Sequence, residues 1–183
     1  MSPAPADRRA ALLETLADHV LIHGLAAASL RPLAKAAGTS DRMLLYYFPT
    51  KADLIAAILE TIAARLTAIL AAATAEPQPL GPLRQTLVQS LSSDALWPYM
   101  RVWLEVAAGA ARGDALLARV GQAIGRGFLA WGEAQLLSAS PAARRAEAAQ
   151  LLVFVEGALF LKSVGLSDVT AAALASGSSQ SPA

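Results

Sequence analysis

Apolar residues recur every three to four positions along most of this chain, which is the spacing of one face of an α-helix. No stretch alternates apolar and polar residues as a half-buried β-strand would. The sequence therefore predicts an all-α protein. Beyond a short segment at residues 29–51, the pattern predicts helices at about 6–23, 51–75, 83–91, 94–111, 114–137, 141–164 and 168–175.

Residues 29–51 predict two short helices joined by a glycine turn. Ser29 stands where the N-cap of the first helix is expected, and Gly38 ends that helix in the left-handed conformation. Ser40 then caps a second helix at about 41–48. Two short helices around a tight turn form a helix-turn-helix, a unit that lays its second helix in the major groove of DNA.

The block AAGTSDRMLLYYFPTKADL resembles the N-terminal signature of TetR-type (tetracycline-repressor-like) transcriptional regulators. The resemblance covers residues 7–60, and beyond residue 60 only the helical pattern and the length agree. Two positions depart from the family pattern, because Leu45 stands where Tyr is usual and Tyr47 where His is frequent. The family uses both positions for phosphate contacts. Leu45 has no group that donates to a phosphate, whereas Tyr47 keeps a hydroxyl.

The resemblance implies an all-α architecture with an N-terminal helix-turn-helix three-helix domain over residues 1–51. A C-terminal helical ligand-binding and dimerisation bundle follows over 52–175, and the polar residues 176–183 are predicted to be disordered. The resemblance also implies a homodimer that occupies a palindromic operator on double-stranded DNA as a repressor. Release by a small, largely apolar effector is expected.

Composition and charge change this interpretation little. The chain is 55% hydrophobic and lacks cysteine, which favours a sizeable core and excludes disulfides and cysteine-based metal sites. Residues 1–51 carry six basic and four acidic groups, an excess with the sign that suits DNA but a small one. No basic leader precedes an apolar run, and Glu156 and Lys162 interrupt the apolar stretch 148–166. We therefore expect a cytoplasmic protein without a membrane span.

The predicted recognition helix supplies most candidates for DNA contact. Arg42 can pair with both acceptors of a guanine edge, although contact with phosphate alone also explains an arginine there. Asp41 suits cytosine or simply the helix dipole, and Met43 suits a thymine methyl or the core. Lys51 begins the next helix, where an ammonium and free N–H groups favour the same phosphate. The predicted DNA-binding residues are Arg31, Asp41, Arg42, Met43, Tyr46, Tyr47 and Lys51.

The second half of the chain holds most of its large rings, which suits a cavity for an apolar or aromatic ligand. Aromatic residues at helical spacing are also common in an ordinary core. Glu105 can meet a cationic or hydroxylated ligand, or pair with Arg101 one helical turn away. The predicted ligand-binding residues are Trp97, Met100, Trp103, Glu105, Phe128, Trp131 and Phe154.

The helix predicted at 141–164 has two apolar stripes, whereas a helix in a monomer needs only one. The family resemblance assigns the second stripe to the same helix of another subunit, with the terminal helix completing a four-helix bundle. The predicted dimer-interface residues are Leu152, Val155, Leu159, Val169 and Ala173.

No catalytic, metal or cofactor site is predicted. His19 and His23 have the i,i+4 spacing of a metal-binding pair, but no third ligand is evident. The glycines at 121–127 lack the preceding strand of a phosphate-binding loop. The alternative from another class is a helical ligand-binding or adaptor protein that does not bind DNA. The small charge excess and the leucine at position 45 are its best support, and an enzyme on a helical bundle is less favoured.

Overall fold

In the computed structural model the described residues are 5–74 and 76–178, and within them the chain forms nine α-helices and no β-strand. The predicted all-α class is confirmed. A short 3-10 helix, Leu25–Ala27, lies between the first two helices. The helices are α1 Pro5–His23, α2 Leu30–Ala36, α3 Asp41–Tyr47, α4 Lys51–Ala73, α5 Leu80–Leu91, α6 Trp97–Ala111, α7 Ala115–Ala134, α8 Pro141–Ser163 and α9 Ser167–Ser178.

Side-chain caps set the starts of α3 and α4 as the sequence predicts. The Ser40 hydroxyl accepts the Met43 N–H at 3.2 Å. Thr50 and Asp53 form a reciprocal capping box, because each accepts the backbone N–H of the other at 3.1 Å. Ser29 is the exception, since it occupies the N-cap of α2 without a capping hydrogen bond from its side chain.

Gly38 makes the turn between α2 and α3. Its φ of +59° is left-handed, a conformation that side chains other than glycine avoid. The Thr39 N–H donates to the Ala34 carbonyl at 2.9 Å, which satisfies an acceptor left free at the end of α2. The turn of the predicted helix-turn-helix is therefore made by local signals.

The chain divides into two compact units. The first unit consists of Met1–Leu66 and Arg101–Ile124, and the second consists of Thr67–Met100 and Gly125–Ala183. Each unit is thus built from segments that are distant in sequence. The predicted functional division after residue 51, which separates DNA binding from ligand binding, stays a prediction.

The core of the first unit joins α1 to the helix-turn-helix and to α4. Leu16 and Val20 of α1, Leu33 of α2 and Leu44 of α3 are fully buried, as is Ile58 of α4. Burial of this kind stabilises by about 1.5–3 kcal/mol per large aliphatic side chain. The exposed face of α3 is therefore presented on a packed scaffold.

Arg65 on α4 adds a polar attachment to α1. Its Nη1 donates to Asp18 at 2.7 Å, and its Nε donates to Glu14 at 2.7 Å. Burial alone would lower the pKa of Arg65, but the hydrogen bonds that it donates to the Asp18 and Glu14 carboxylates outweigh burial and raise that pKa. The guanidinium therefore stays charged and holds α1 and α4 together.

Among the described helices, α4 alone is long and apolar enough to cross a membrane by length and composition. Its best window has a mean hydropathy of 1.9, and 44% of that window is buried inside the structure. The apolar stretch 148–166 does not lie in a helix that meets this criterion of length and composition. Core helices pass the same test, and α4 carries buried Leu54, Ile58 and Leu70.

The predicted disordered tail at 176–183 falls largely outside the described residues. Residues 176–178 are described, and there α9 continues to Ser178. Helix α9 therefore ends three residues later than the sequence predicts.

Candidate nucleic-acid interface

Helix α3 turns one side toward the core and presents the other. Leu44 and the C-cap residue Phe48 are buried. At about 100° per residue, the opposite side carries Arg42 and Tyr46, which lie one turn apart. Both are exposed, and Tyr46 keeps 73% of its surface accessible. Arg42 and Tyr46 therefore form the centre of the exposed surface of α3.

Asp41, Met43 and Leu45 flank that centre and are also exposed. Tyr47 is partly buried, and its ring meets the ring of Tyr46 edge-on with centroids 5.2 Å apart. The exposure of Leu45 means that the core does not explain an apolar residue there. The departure from the family pattern at this position thus lies on the surface of α3 itself.

Arg9 contacts the end of α3, a role that was not predicted from the sequence. The guanidinium of Arg9, on α1, lies 4.7 Å from the centre of the Phe48 ring. Such a cation–π contact contributes about 0.5–1 kcal/mol at an exposed site. No local pattern marks Arg9 for this role, because the contact brings together residues from two separate helices.

Arg31 and Lys51, two of the predicted DNA-binding residues, are exposed in the first turns of α2 and α4. All seven predicted DNA-binding residues lie in the first unit. Lys51 also lines a cavity of about 540 Å³ in this unit, whose walls include Ile55, Glu105 and Arg112. The amino end of α4 adds free N–H groups that favour an anion beside Lys51.

Glu105 is engaged within the chain. Its Oε2 accepts the Leu25 N–H at 2.7 Å. The neighbouring Arg101 donates from Nη2 to the Leu21 carbonyl at 3.3 Å. The bond described for Glu105 is thus not the predicted pair with Arg101, and the predicted ligand contact of Glu105 stays a prediction.

The predicted ligand-binding residues are divided between the two units. Trp103 and Glu105 lie in the first unit, and the other five lie in the second. Met100 is a core residue. Phe154 lies under the guanidinium of Arg84, 4.5 Å from ring centre to Cζ. The other members in the second unit, Trp97, Phe128 and Trp131, are half-buried.

Three buried N–H donors in the second unit have no described hydrogen-bond partner. They are Nε of Arg84, Nε1 of Trp131 and Nε of Arg144. A buried donor left unpaired costs about 1–3 kcal/mol, so each is a candidate for a ligand acceptor or a water molecule. Arg84 could not be predicted from the sequence, because an arginine on a helix carries no signal of burial against an aromatic ring.

Helix α8 is amphipathic within the second unit, but its exposed side differs from the predicted stripe. Val155 and Leu159 are buried in the core of the unit, with Leu159 only 3% exposed, and Leu152 is half-buried. Val169 and Ala173 of α9 are exposed. The outer stripe of α8, as we name it, consists of Val153, Gly157, Phe160 and Val164.

The rings of His19 and His23 are 4.5 Å apart on α1. Burial, and then the charge of His23, lower the pKa of His19, and the buried Nε2 of His19 has no described partner. Within residues 5–74 and 76–178, no group of three or more His, Cys, Asp or Glu could hold a metal ion. The two rings pack against each other on α1, and the lowered pKa belongs to His19.

Comparison with known proteins agrees with this geometry. Residues 16–58 match the model of the family described as bacterial regulatory proteins, tetR family. No curated protein has a sequence that matches the chain significantly. Among solved structures, the fold is similar to a candidate TetR-family regulator from Rhodococcus sp., with 19% identity over 93% of this chain and 96% of that one, and a TM-score of 0.71.

It is also similar to a TetR-family regulator from Cytophaga hutchinsonii, with 19% identity over 96% and 94% of the chains and a TM-score of 0.65. A third neighbour is described as multidrug binding protein EbrR complexed with proflavin, with 23% identity over 90% and 98% and a TM-score of 0.63. Residues 16–58 therefore match the tetR-family model, and the chain has the fold of these TetR-family transcriptional regulators.

Proposed function

We propose that this chain is a homodimeric transcriptional repressor that binds a palindromic operator and is released by a small, largely apolar effector. The observation that carries the DNA-binding part is the exposed face of α3 in a tetR-family domain. Arg42 and Tyr46 occupy the centre of that face, where a helix in the major groove meets base edges. Arg31 and Lys51 bind phosphates and fix the register of the helix.

The homodimer is supported by the outer stripe of α8. Val153 is 74% exposed and Phe160 is 58% exposed, and Gly157 between them leaves open space. A row of large apolar side chains on one helix face marks a surface that is covered in the functional protein. A second copy that uses the same face gives the two-fold symmetry that a palindromic operator requires.

The effector site is proposed in the second unit, at the contact between Arg84 and Phe154, with Trp131 as a further candidate in the same unit. The rings offer apolar surface, and the unpaired donors of Arg84 and Trp131 favour an effector with at least one acceptor atom. The fold neighbour EbrR is described as a multidrug-binding protein in complex with proflavin, which agrees with an aromatic effector. Effector release requires tighter binding to the state that does not bind DNA.

Selection of genomic fragments by the purified protein tests the proposal. We expect enrichment of palindromes with half-sites about 34–36 Å apart, or a multiple of that distance. Binding to an enriched fragment should weaken linearly with the logarithm of salt concentration, because lysine and arginine release counterions from phosphates. Failure to retain any fragment at low salt would instead support a helical ligand-binding or adaptor protein.

A further inference from the structure

The corner between α1 and α2 receives two side chains from α6, all within the first unit. Arg101 donates to the Leu21 carbonyl at 3.3 Å, and Glu105 accepts the Leu25 N–H at 2.7 Å. Arg101 and Glu105 are four residues apart, so they lie on the same face of α6. We name these two residues and their bonds the α6 clamp.

The α6 clamp replaces a helical hydrogen bond that the chain gives up at this corner. If α1 continued, the Leu25 N–H would donate to the Leu21 carbonyl, four residues earlier. The chain turns at Gly24 instead, which has a φ of +79°, and both groups lose that partner. Arg101 donates a hydrogen bond to the free Leu21 carbonyl, and Glu105 accepts one from the free Leu25 N–H. Each is a bond to a charged group, the stronger class of hydrogen bond.

Gly24 is required for this approach as well as for the turn. A Cβ at position 24 would lie 2.7 Å from Oε1 of Glu105, closer than such contacts are found. Any larger residue would push the carboxylate away from Leu25, in addition to the strain of the positive φ. The turn and the α6 clamp therefore depend on one glycine.

We propose that Arg101 and Glu105 are positioning residues for DNA binding, which fix the direction in which the chain leaves α1 and enters α2. The turn at Gly38 is set locally, so α3 follows α2, and the exposed face of α3 is oriented by this corner. The inference rests on the proposed DNA-binding function. It assigns Glu105 to the alignment of the helix-turn-helix and removes it from the effector contacts.

Three variants of the full chain test the α6 clamp. Glu105→Ala removes the acceptor, Glu105→Gln keeps an acceptor without the charge, and Glu60→Ala is the matched control, because Glu60 is an exposed acid in the same unit. Hydrogen exchange at the Leu25 amide should accelerate about tenfold to a hundredfold in Glu105→Ala. It should change far less in Glu105→Gln and stay at the wild-type rate in Glu60→Ala.

DNA binding separates alignment from general stability. We expect Glu105→Ala to lose about tenfold in affinity for a selected palindrome, while its affinity for random DNA at low salt is unchanged. Random DNA uses the same phosphate contacts without base reading, so a misaligned α3 lowers only the ratio of the two affinities. Glu105→Gln should recover most of that ratio.

A double-mutant cycle with Gly24→Ala examines the contact directly. Gly24→Ala should weaken palindrome binding in the wild-type background, through both the collision with Glu105 and the positive φ. In the Glu105→Ala background the collision is absent, so the added loss should be smaller than in wild type. Equal losses in both backgrounds would contradict the proposed contact.

Arg101→Met provides an independent second variant, because it keeps the apolar stem and removes the donor to Leu21. It should lower the same affinity ratio. The proposal is overturned if the wild-type Leu25 amide exchanges like a solvent-exposed amide, or if Glu105→Ala keeps the affinity ratio of Glu60→Ala. If the wild-type protein binds no DNA, both the proposed function and the positioning role are overturned. Hydrogen exchange at the Leu25 amide then still shows whether the α6 clamp forms.

Discussion

Replacing Phe160 with alanine examines whether the outer stripe of α8 is the dimer interface. Phe160 is 58% exposed within the chain, so somewhat more than half of its surface is available for burial by a partner. Full burial of a phenylalanine side chain stabilises by about 1.5–3 kcal/mol, which makes this remaining share worth about 0.9–1.7 kcal/mol. A two-fold axis uses the residue twice, so Phe160→Ala should raise the dimer dissociation constant about 20- to 300-fold.

Sedimentation velocity over a dilution series measures this dissociation constant. The matched control is Leu137→Ala, because Leu137 is 64% exposed in the same unit but precedes α8 and is not part of the outer stripe. We expect wild type and Leu137→Ala to dissociate at similar concentrations and Phe160→Ala to dissociate at a much higher one. Affinity for a palindrome should fall with dimerisation, since a monomer engages a single half-site.

Two results would refute this reasoning. One is a wild-type protein that sediments as a monomer at micromolar concentration, and the other is Phe160→Ala dimerising as tightly as Leu137→Ala. Leu159 cannot serve as the probe, because it is 3% exposed and belongs to the core. Its replacement by alanine would cost about 2–5 kcal/mol of the stability of the subunit itself.

Other predictions concern the DNA surface, the effector site and pH. Arg42→Ala should cost about 1–3 kcal/mol of palindrome affinity and relax specificity at one base position. Lys51→Ala should instead weaken binding to all sequences similarly and flatten the salt dependence of binding. If both variants bind DNA like wild type, the DNA surface is misassigned. Trp131→Ala should change the response to an effector more than it changes DNA affinity, as measured by release from a labelled palindrome. Because burial and His23 lower the pKa of His19 below 6.5, the folded state binds this proton less readily than the unfolded state. The free energy of unfolding should therefore fall as pH drops from about 8 to about 5, and His19→Gln should reduce that fall in a thermal-denaturation series.

The parts of the fold that local signals control could be predicted from the sequence. Ser40, Gly38 and the pair Thr50 and Asp53 act on backbone groups within five residues of themselves, so their effect is visible in a short window. The orientation of α8 was not predictable in the same way. Helical spacing reveals two apolar stripes on that helix, but it does not state which one the chain itself covers.

Contacts between distant segments were the main omission at the candidate sites. Glu105 and Leu25 are 80 residues apart, and the bond between them depends on where α6 lies against α1. Neither residue has a local pattern that names the other. Arg84 could not be predicted for the same reason, because its guanidinium contacts the ring of Phe154 on another helix.

The discontinuous make-up of the first unit bears on the exchange of operator specificity between regulators. A chimera that joins the DNA-binding segment of one regulator to the effector-binding segment of another is most simply made with a single crossover point. A graft that ends at Leu66 would transfer α3 but leave behind Arg101–Ile124, which belongs to the same compact unit. The recipient would then have to supply its own counterpart of Arg101 and Glu105. A chimera should therefore exchange both segments of the first unit, so that the transferred unit keeps its own contacts between α1 and α6.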